Sequence, residues 1–380
     1  MFIRITAFIM AFIWLFAPLG VLAGEAFFTK KDGCPVPDAG AAVLMEKDSG
    51  EILYSHNANT RLPMASTTKI MTAILVSELL PLDRMVVVPD EAAGCEGSSI
   101  YLYKGEKITV EELLYGLLLE SANDAAVTLA IEAAGSVEAF AGLMNKKAKE
   151  MGLKDTNFVN PHGLDHSEHY TTASDLAVIA AHALSDPIVS RVAATKVYKS
   201  EKRVMSNHNR LLSTYKGAIG LKTGYTMRCG RCLVSGAKRD GMTLIAVTLN
   251  CRNDWRAHSS MLDWGFDNYQ RSVINEGVGF TCTTLVTGGQ IDTVQLKSSG
   301  NIGFLMDKGE YNIRTQTKVK RLVFAPVKEG EKLGEVDIYV DDQLYATVDL
   351  LAVQDVLIRE NEVKSGFFTR IIRFITDLFN

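Results

Sequence analysis

The chain has 380 residues, 47% of them hydrophobic and 22% charged, with a formal net charge of −4. This composition excludes a disordered, collagenous or coiled-coil chain, and with no basic excess to neutralise phosphates nothing in it favours nucleic acid as a partner. The length allows two to three domains with ample chain for a large core.

Met1-Phe2-Ile3-Arg4 is a short basic start, followed by an apolar run from Ile5 to Ala17 that Pro18 and Gly20 break. Val21-Leu22-Ala23 then supplies the small or short residues that signal peptidase accepts. Residues 1–23 therefore read as a signal peptide cut after Ala23, with Ala26 as a second site. The competing reading is an uncleaved anchor, since Ile5 to Ala23 nearly matches the thickness of a bilayer. Both readings place the working protein outside the cytoplasm.

Ala41-Ala42-Val43-Leu44-Met45 and Glu51-Ile52-Leu53-Tyr54 flank the turn Lys47-Asp48-Ser49-Gly50 and predict a hairpin. Leu62-Pro63-Met64-Ala65 leads to Ser66, read as a helix N-cap because Ile70, Met71, Ile74, Leu75 and Leu79 then recur at helical spacing. Helices are expected over Val110–Leu119 and Ala122–Ala134, meeting near Ser121, and over Ala173–Leu184. Gly220–Ala237 and Met242–Asn250 form a hairpin around Lys238-Arg239-Asp240-Gly241, and Ser259–Tyr269 closes the region as a helix. Strands, many helices, strands and a helix give an α+β domain over residues 24–277, an antiparallel sheet carrying helices.

From 278 to 360 the chain turns to short β-rich pieces separated by Gly288-Gly289, Gly300, Lys308-Gly309 and Lys328-Glu329-Gly330. Leu322–Ala325, Glu335–Val340 and Leu344–Leu350 stand at the spacing of a small β sandwich. With neither His nor Trp, this stretch reads as a spacer or binding module. The tail, residues 365–380, is amphipathic. At about 100° per residue, Phe367, Phe368, Ile371, Ile372, Phe374, Ile375, Leu378 and Phe379 share one arc. Thr369, Arg370, Arg373, Thr376, Asp377 and Asn380 fill the other. A helix of roughly 21 Å is too short to span a bilayer but suits its interface; the competing reading docks it on the β domain.

Six cysteines are present: Cys34, Cys95, Cys229, Cys232, Cys251 and Cys282. Cys229-Gly230-Arg231-Cys232 lies within the stretch read as one strand, where three extended residues span about 10 Å. That exceeds the ~7 Å limit between the Cα atoms of a disulfide, and no second CxxC completes a zinc site. These cysteines therefore read as buried thiols.

Three short patterns carry the chemistry: Ser66-Thr67-Thr68-Lys69, Ser121-Ala122-Asn123 and Lys222-Thr223-Gly224. They are the S-x-x-K, S-x-N and K-T-G elements of penicillin-recognising acyl-serine enzymes. S-x-x-K also occurs at Ser213–Lys216 and Ser235–Lys238, S-x-N at Ser55–Asn57 and Ser299–Asn301, and K-S-G at Lys364–Gly366. Context separates them. Only Ser66 opens an apolar-periodic helix, only Ser121 sits at a helix-to-helix break, and only Lys222 lies on a strand. Residues three apart share a helix face, so Lys69 reaches the Ser66 hydroxyl and can take its proton. A second cation, Lys222, helps to keep a desolvated lysine neutral. Ser121 and Asn123 relay a proton and bind an amide, while Lys222 and Thr223 meet a carboxylate. Gly224 leaves room for substrate along the strand edge. The implied substrate is a peptide ending in a free carboxylate.

With these motifs in this order, the chain resembles the D-alanyl-D-alanine carboxypeptidases, low-molecular-mass penicillin-binding proteins. The resemblance runs from Ala41 to Tyr269 and more loosely through the β domain and tail. It is supported by Gly220-Leu221-Lys222-Thr223-Gly224-Tyr225-Thr226, Asn209-Arg210-Leu211-Leu212 and His162-Gly163-Leu164-Asp165. It implies a penicillin-binding-protein/β-lactamase-like fold, removal of the terminal D-alanine of peptidoglycan stem peptides through an acyl-enzyme on Ser66, and β-lactams as covalent inhibitors. It also implies a second oxyanion N–H at Tyr225, joining the Ser66 backbone N–H that the start of its helix turns toward the site, a membrane-surface anchor in the tail, and action at the outer face of the cytoplasmic membrane against the cell wall. No metal or other cofactor is implied. Cys229 departs from the small residue common there, and the expected basic residue after the second hairpin strand is either Arg252 or Arg256. His162, His166, His169 and Asp165 invite a zinc reading, but their spacing fits no standard site. His162 matches the family's H-G-L element as a modulator of the site, and His56, His182, His208 and His258 read as ordinary surface or core residues. A class A β-lactamase is disfavoured because no E-x-x-L-N pattern is present. The remaining alternatives are a DD-endopeptidase or transpeptidase, and a catalytically silent cell-wall-binding protein.

Overall fold

The computed structural model describes residues 31–274, 279–298 and 302–359, together with Thr376. The signal-peptide segment (1–23) lies outside the described residues, as does the tail pattern of 365–380 apart from Thr376. The chain divides into two compact units. One comprises Phe28–Ser272 and Phe304–Gly309, the other Val273–Gly303 and the chain from Glu310 onward.

The first unit is built on a five-stranded sheet of β1 (Ala39–Glu46), β2 (Ile52–His56), β3 (Ala218–Thr226), β4 (Gly230–Arg239) and β5 (Met242–Cys251), in the order β2-β1-β5-β4-β3. Every neighbouring pair is antiparallel. The run Ala41–Met45 is apolar throughout because both faces of the sheet are covered. Val43, Met45, Ile245 and Val247 join the core under the helical cluster, whereas Ala42, Leu44, Leu244 and Ala246 face α7 (Asp254–Asn268) through Met261 and Leu262. This period of two is the strand's own alternation read onto two cores.

At the centre of the helical cluster is α1 (Lys69–Leu79), buried from Lys69 to Val76. Around it stand α2 (Val110–Leu119), α3 (Asn123–Ala134), α4 (Val137–Glu150), α5 (Ala173–Ser185) and α6 (Pro187–Ala194). Helices α4 and α6 were not anticipated, though both carry start signals: Ser136 Oγ accepts from Ala139 N at 3.1 Å, and Asp186 caps a helix with Pro187 in its first turn. Ser66 is not an N-cap. Residues Ala65–Thr68 form a 3₁₀ turn that runs into α1, with the Thr67 and Thr68 hydroxyls donating to Met64 O (2.6 Å) and Ala65 O (2.8 Å).

The stretch read as one strand from Gly220 to Ala237 is instead a hairpin, β3 and β4, turning at Met227–Cys229. That turn brings Cys229 Sγ to 3.2 Å from Cys232 Sγ, correcting the expectation that extended chain holds them apart. Both thiols are buried, and Cys229 Sγ also lies 2.9 Å from Pro63 O.

The second unit is all β. Its strands β6 (Thr281–Thr287), β7 (Thr293–Ser298), β8 (Ile313–Val319), β9 (Leu322–Phe324), β10 (Lys332–Val340) and β11 (Gln343–Ala352) join in one sheet of order β8-β10-β11-β7-β6-β9, where the spacing had suggested a sandwich. Neighbours are antiparallel except β6 and β9. Alternate residues such as Val286, Val294, Leu296, Val323, Val336 and Leu350 make its core.

Candidate active site

The three motifs converge on one cleft of about 360 Å³, whose lining includes Ser66, Ser121, Thr223 and Gly224. The 3₁₀ turn presents Ser66, and α1 begins with Lys69, whose Nζ lies 3.0 Å from Ser66 Oγ. Lys69 is fully buried; its Nζ also donates to Asn123 Oδ1 (2.7 Å) and to the carbonyl oxygen of His162 (2.6 Å). Burial, and then the nearby Lys222 cation, push its pKa well below the usual lysine value, against a smaller opposing pull from Asp124. Lys222 is buried as well, and desolvation lowers its pKa to about 7.

Two residues of the site have strained backbone. Ala65 opens the Ser66 turn at φ +47° and Ser121 sits between α2 and α3 at φ +61°, conformations that non-glycine residues adopt only when their surroundings hold them. The holding contacts are visible. Ala122 N donates to Gly116 O (3.0 Å) and Asn123 N to Ser98 O (2.7 Å), while Asn123 Nδ2 donates to Glu96 O (2.5 Å). Both ends of the Asn123 carboxamide are thus engaged, which fixes its oxygen toward Lys69. The loop supplying those carbonyls is itself tied down by buried Asp124, which accepts from Ser99 Oγ (2.6 Å) and Leu102 N (2.9 Å).

Two glycines permit the approach of distant segments. A Cβ on Gly163, at φ +90°, would stand 1.9 Å from Ala65 O. A Cβ on Gly224 would stand 3.1 Å from both Ser66 N and Ala65 Cβ, so strand β3 passes directly against the serine turn. Strand β3 is an edge of the sheet, and Tyr225 beside Gly224 is exposed.

His162 meets the site through its carbonyl oxygen. Its ring, with a pKa lowered to about 3 chiefly by burial, accepts from Leu164 N at Nδ1 (3.2 Å). His169 Nδ1 accepts from Val159 N (3.1 Å), which leaves the proton on Nε2, 2.8 Å from Thr68 Oγ1. The Thr68 hydroxyl then donates to Ala65 O, so a neutral His169, its pKa lowered to about 4 mainly by burial, braces the serine turn. His166 Nδ1 accepts from Glu168 N, so these rings are committed to separate backbone groups; among the described residues no metal-ligand cluster forms.

The cleft also contains residues that sequence reasoning passed over. Ser98, His208, Arg210, Arg231, Asp254 and Trp255 line it, and neither Arg252 nor Arg256 does. His208, read as an ordinary residue, lies with Nε2 3.1 Å from Glu120 Oε2. Arg231, directly across the ladder from Tyr225, is held by two 3.0 Å hydrogen bonds to buried Asp254. Arg210 had entered only within the Asn209–Leu212 element, and Arg231 only as a spacer between cysteines. The hairpin turn was the signal that would have placed Arg231 beside the K-T-G strand.

Comparison with known proteins agrees with this geometry. Residues 29–253 match the family model described as D-alanyl-D-alanine carboxypeptidase, and residues 276–357 match the penicillin-binding protein 5 C-terminal domain. The chain is 35% identical to the D-alanyl-D-alanine carboxypeptidase DacF of Bacillus subtilis, over 92% of this chain and 93% of that protein. It is 31% identical to DacC of Escherichia coli, over 97% and 94%. Among solved structures, penicillin-binding protein 5 of Haemophilus influenzae superposes with a TM-score of 0.71 at 29% identity, covering 86% of this chain and all of that one (100%). A mutant of the Streptomyces K15 DD-transpeptidase matches at 34% identity with a TM-score of 0.58, over 61% of this chain and 99% of that one. The chain belongs to the D-alanyl-D-alanine carboxypeptidase family of serine penicillin-binding proteins.

Proposed function

We propose that the chain removes the terminal D-alanine of peptidoglycan stem peptides through an acyl-enzyme on Ser66. The observation that carries this reading is a fully buried Lys69 amine 3.0 Å from the Ser66 hydroxyl, in a cleft shared with the S-x-N and K-T-G elements. Substrate lies along the exposed edge of β3, its terminal carboxylate toward Lys222 and Thr223, with Arg210 adding positive charge to the same cleft. Ser66 Oγ attacks the carbonyl of the last peptide bond while neutral Lys69 takes the hydroxyl proton. The Ser66 and Tyr225 backbone N–H groups hold the developing oxyanion. Ser121 relays the proton to the departing amine, the C–N bond breaks, and D-alanine leaves. Water then cleaves the ester and returns a peptide one residue shorter. A β-lactam follows the first half only, because its leaving group stays tethered and obstructs that water.

The remaining assignments are part of the same proposal. Residues 1–23 direct export, 24–277 form the catalytic domain, 278–360 a β-rich spacer or binding module, and 365–380 an amphipathic anchor at the outer face of the membrane. Asn123 orients Lys69, and His162 modulates the site through its carbonyl oxygen.

The test is intact-protein mass after incubation with benzylpenicillin, for the parent and for Ser66→Ala, alongside D-alanine release from a peptide ending in D-Ala-D-Ala. One adduct on the parent, none on the variant, and D-alanine released by the parent alone is the expected result. An adduct without D-alanine release would favour the transpeptidase or endopeptidase reading. No adduct at all would leave a silent wall-binding protein.

A further inference from the structure

The second unit carries an apolar patch on the outer side of its sheet that the core does not use. Strand β9 is an edge strand, and its neighbour β6 runs parallel to it with Leu285 opposite Leu322 and Thr287 opposite Phe324. Strand alternation turns Val286 and Val323 into the core and sends their neighbours outward. Leu285 is thus 55% exposed, Leu322 50% and Phe324 74%. The far end of the described chain runs beside β6. Ile358 bridges to Gly289 just beyond β6, and Leu357 and Ile358 are 58% and 57% exposed. A single exposed leucine needs no explanation; three large apolar side chains on two paired strands do.

The surroundings identify the occupant. Lys320 and Arg321 immediately precede Leu322, both exposed, and neither makes an ion pair among the described residues. Arg359 follows Ile358 and pairs with exposed Asp292 at 2.7 Å. Apolar and aromatic side chains bordered by cations are the composition of a surface that rests in a bilayer interface and attracts anionic headgroups. The strand that presents the patch is three residues long, too short to template pairing with another chain. Twenty-one residues follow Arg359, and they contain the amphipathic pattern of Phe367–Phe379 with arginines on its polar arc. The patch therefore lies where the chain departs toward its own apolar tail.

We propose that this face of the β unit, centred on Leu285, Leu322 and Phe324 with Lys320 and Arg321 at its border, is a second membrane contact for anionic lipid. Two weak contacts acting together hold a protein at a membrane far longer than one, because the second binds intramolecularly. The inference is independent of the catalytic reading, since no residue of the cleft takes part.

The experiment uses the full mature chain and sedimentation with vesicles of phosphatidylcholine, with and without phosphatidylglycerol. The parent is compared with Phe324→Asp and with the double variant Lys320→Glu/Arg321→Glu, all with an intact tail. Acylation by benzylpenicillin and the thermal melt report that each variant is folded. Phe324→Asp is expected to weaken binding to both vesicle types about tenfold, the scale of losing one large apolar side chain from the interface. The charge reversal is expected to weaken binding to the anionic vesicles only, and 0.5 M salt to abolish that difference. Three results would overturn the proposal. Folded variants that bind like the parent would leave attachment to the tail alone. Tighter vesicle binding by Phe324→Asp would mean that the patch stores the tail's apolar face. A parent dimer that Phe324→Asp converts to monomer, with vesicle binding unchanged, would assign the patch to a second copy of this chain.

Discussion

Two lysines of the β unit and two of the catalytic cleft are treated in opposite ways. In the β unit, Lys318 reaches Asp337 and Lys332 reaches Asp349, each at 2.5 Å, and those carboxylate hydrogen bonds raise the pKa of both amines. Each cation remains half in water. In the catalytic unit, Lys69 and Lys222 are fully buried, neither has an ion pair among the described residues, and desolvation lowers both. A buried amine without a carboxylate destabilises the fold unless it sheds its proton. A sheet gains nothing from such groups, whereas a site that must accept a proton and then meet a carboxylate gains from both. The β unit joins strands with its charges; the cleft holds its charges ready for reaction.

The sharpest way to break this contrast is to remove the buried base. Lys69→Ala is expected to lower the rate of benzylpenicillin acylation by about 10²–10⁴-fold, the usual contribution of a positioned general base, with the thermal melt preserved or raised. Stopped acylation followed by intact mass reads the effect directly. Near-parental acylation would show that the buried amine is structural and the contrast empty.

Lys222→Ala sharpens the same contrast by separating its two causes. Burial is the larger cause of the Lys69 shift and the Lys222 cation the second, so the variant keeps the first and loses the second. The pKa of Lys69 then rises. Because the base works only when neutral, the acid limb of the acylation pH profile moves to higher pH. For peptides ending in a carboxylate, kcat/KM is also expected to fall about 10²-fold, since a hydrogen bond to a charged group is worth ~1.5–3 kcal/mol. The corresponding amidated peptides should lose much less. Lys222 contributes to pH-dependent stability too: its folded pKa of about 7 lies below the ordinary lysine value. Between the two values the unfolded chain binds more protons, so the parent gains stability as pH rises above about 7, and the variant should lack that gain.

How far the sequence reached depended on how local each feature is. Ser66 and Lys69 are three residues apart, so helical geometry alone brought their side chains together. The convergence of Ser121 and Lys222 followed from motif order and context. The positive φ of Ala65 and Ser121 was illegible, because neither residue type announces it. Gly163 gave no local clue either, since its need for a missing side chain arises from Ala65, nearly a hundred residues earlier in the chain. The strand run across Cys229 was misread because Met227-Arg228-Cys229 holds no turn-forming residue of its own and only Gly230 beside it marks the turn. That single misplacement hid both the approach of the two thiols and the position of Arg231. In the β unit, period-two alternation found three strands, but β6, β7 and β8 are rich in Thr, Gln and Lys on their outer faces and fell below notice.

The smallest expected effect belongs to the ordinary member of the contrast. Asp337 is buried and accepts from Lys318 Nζ (2.5 Å) and Thr347 Oγ1 (2.8 Å), and these contacts, Lys318 first, hold its carboxyl below the usual carboxylate range. A depressed carboxylate contributes stability above its unfolded pKa and loses it as pH falls through the folded value. Lys318→Met should therefore lower the melting temperature of the β unit by a few degrees at neutral pH, with Thr347 still satisfying one oxygen. The gap between parent and variant should close in acid, where Asp337 is protonated in both. Calorimetry at the two pH values measures it, and benzylpenicillin acylation should be unchanged throughout. A gap that persisted in acid would mean the Lys318 side chain acts through its packed stem, and the pairing of charge would not be what distinguishes this unit from the cleft.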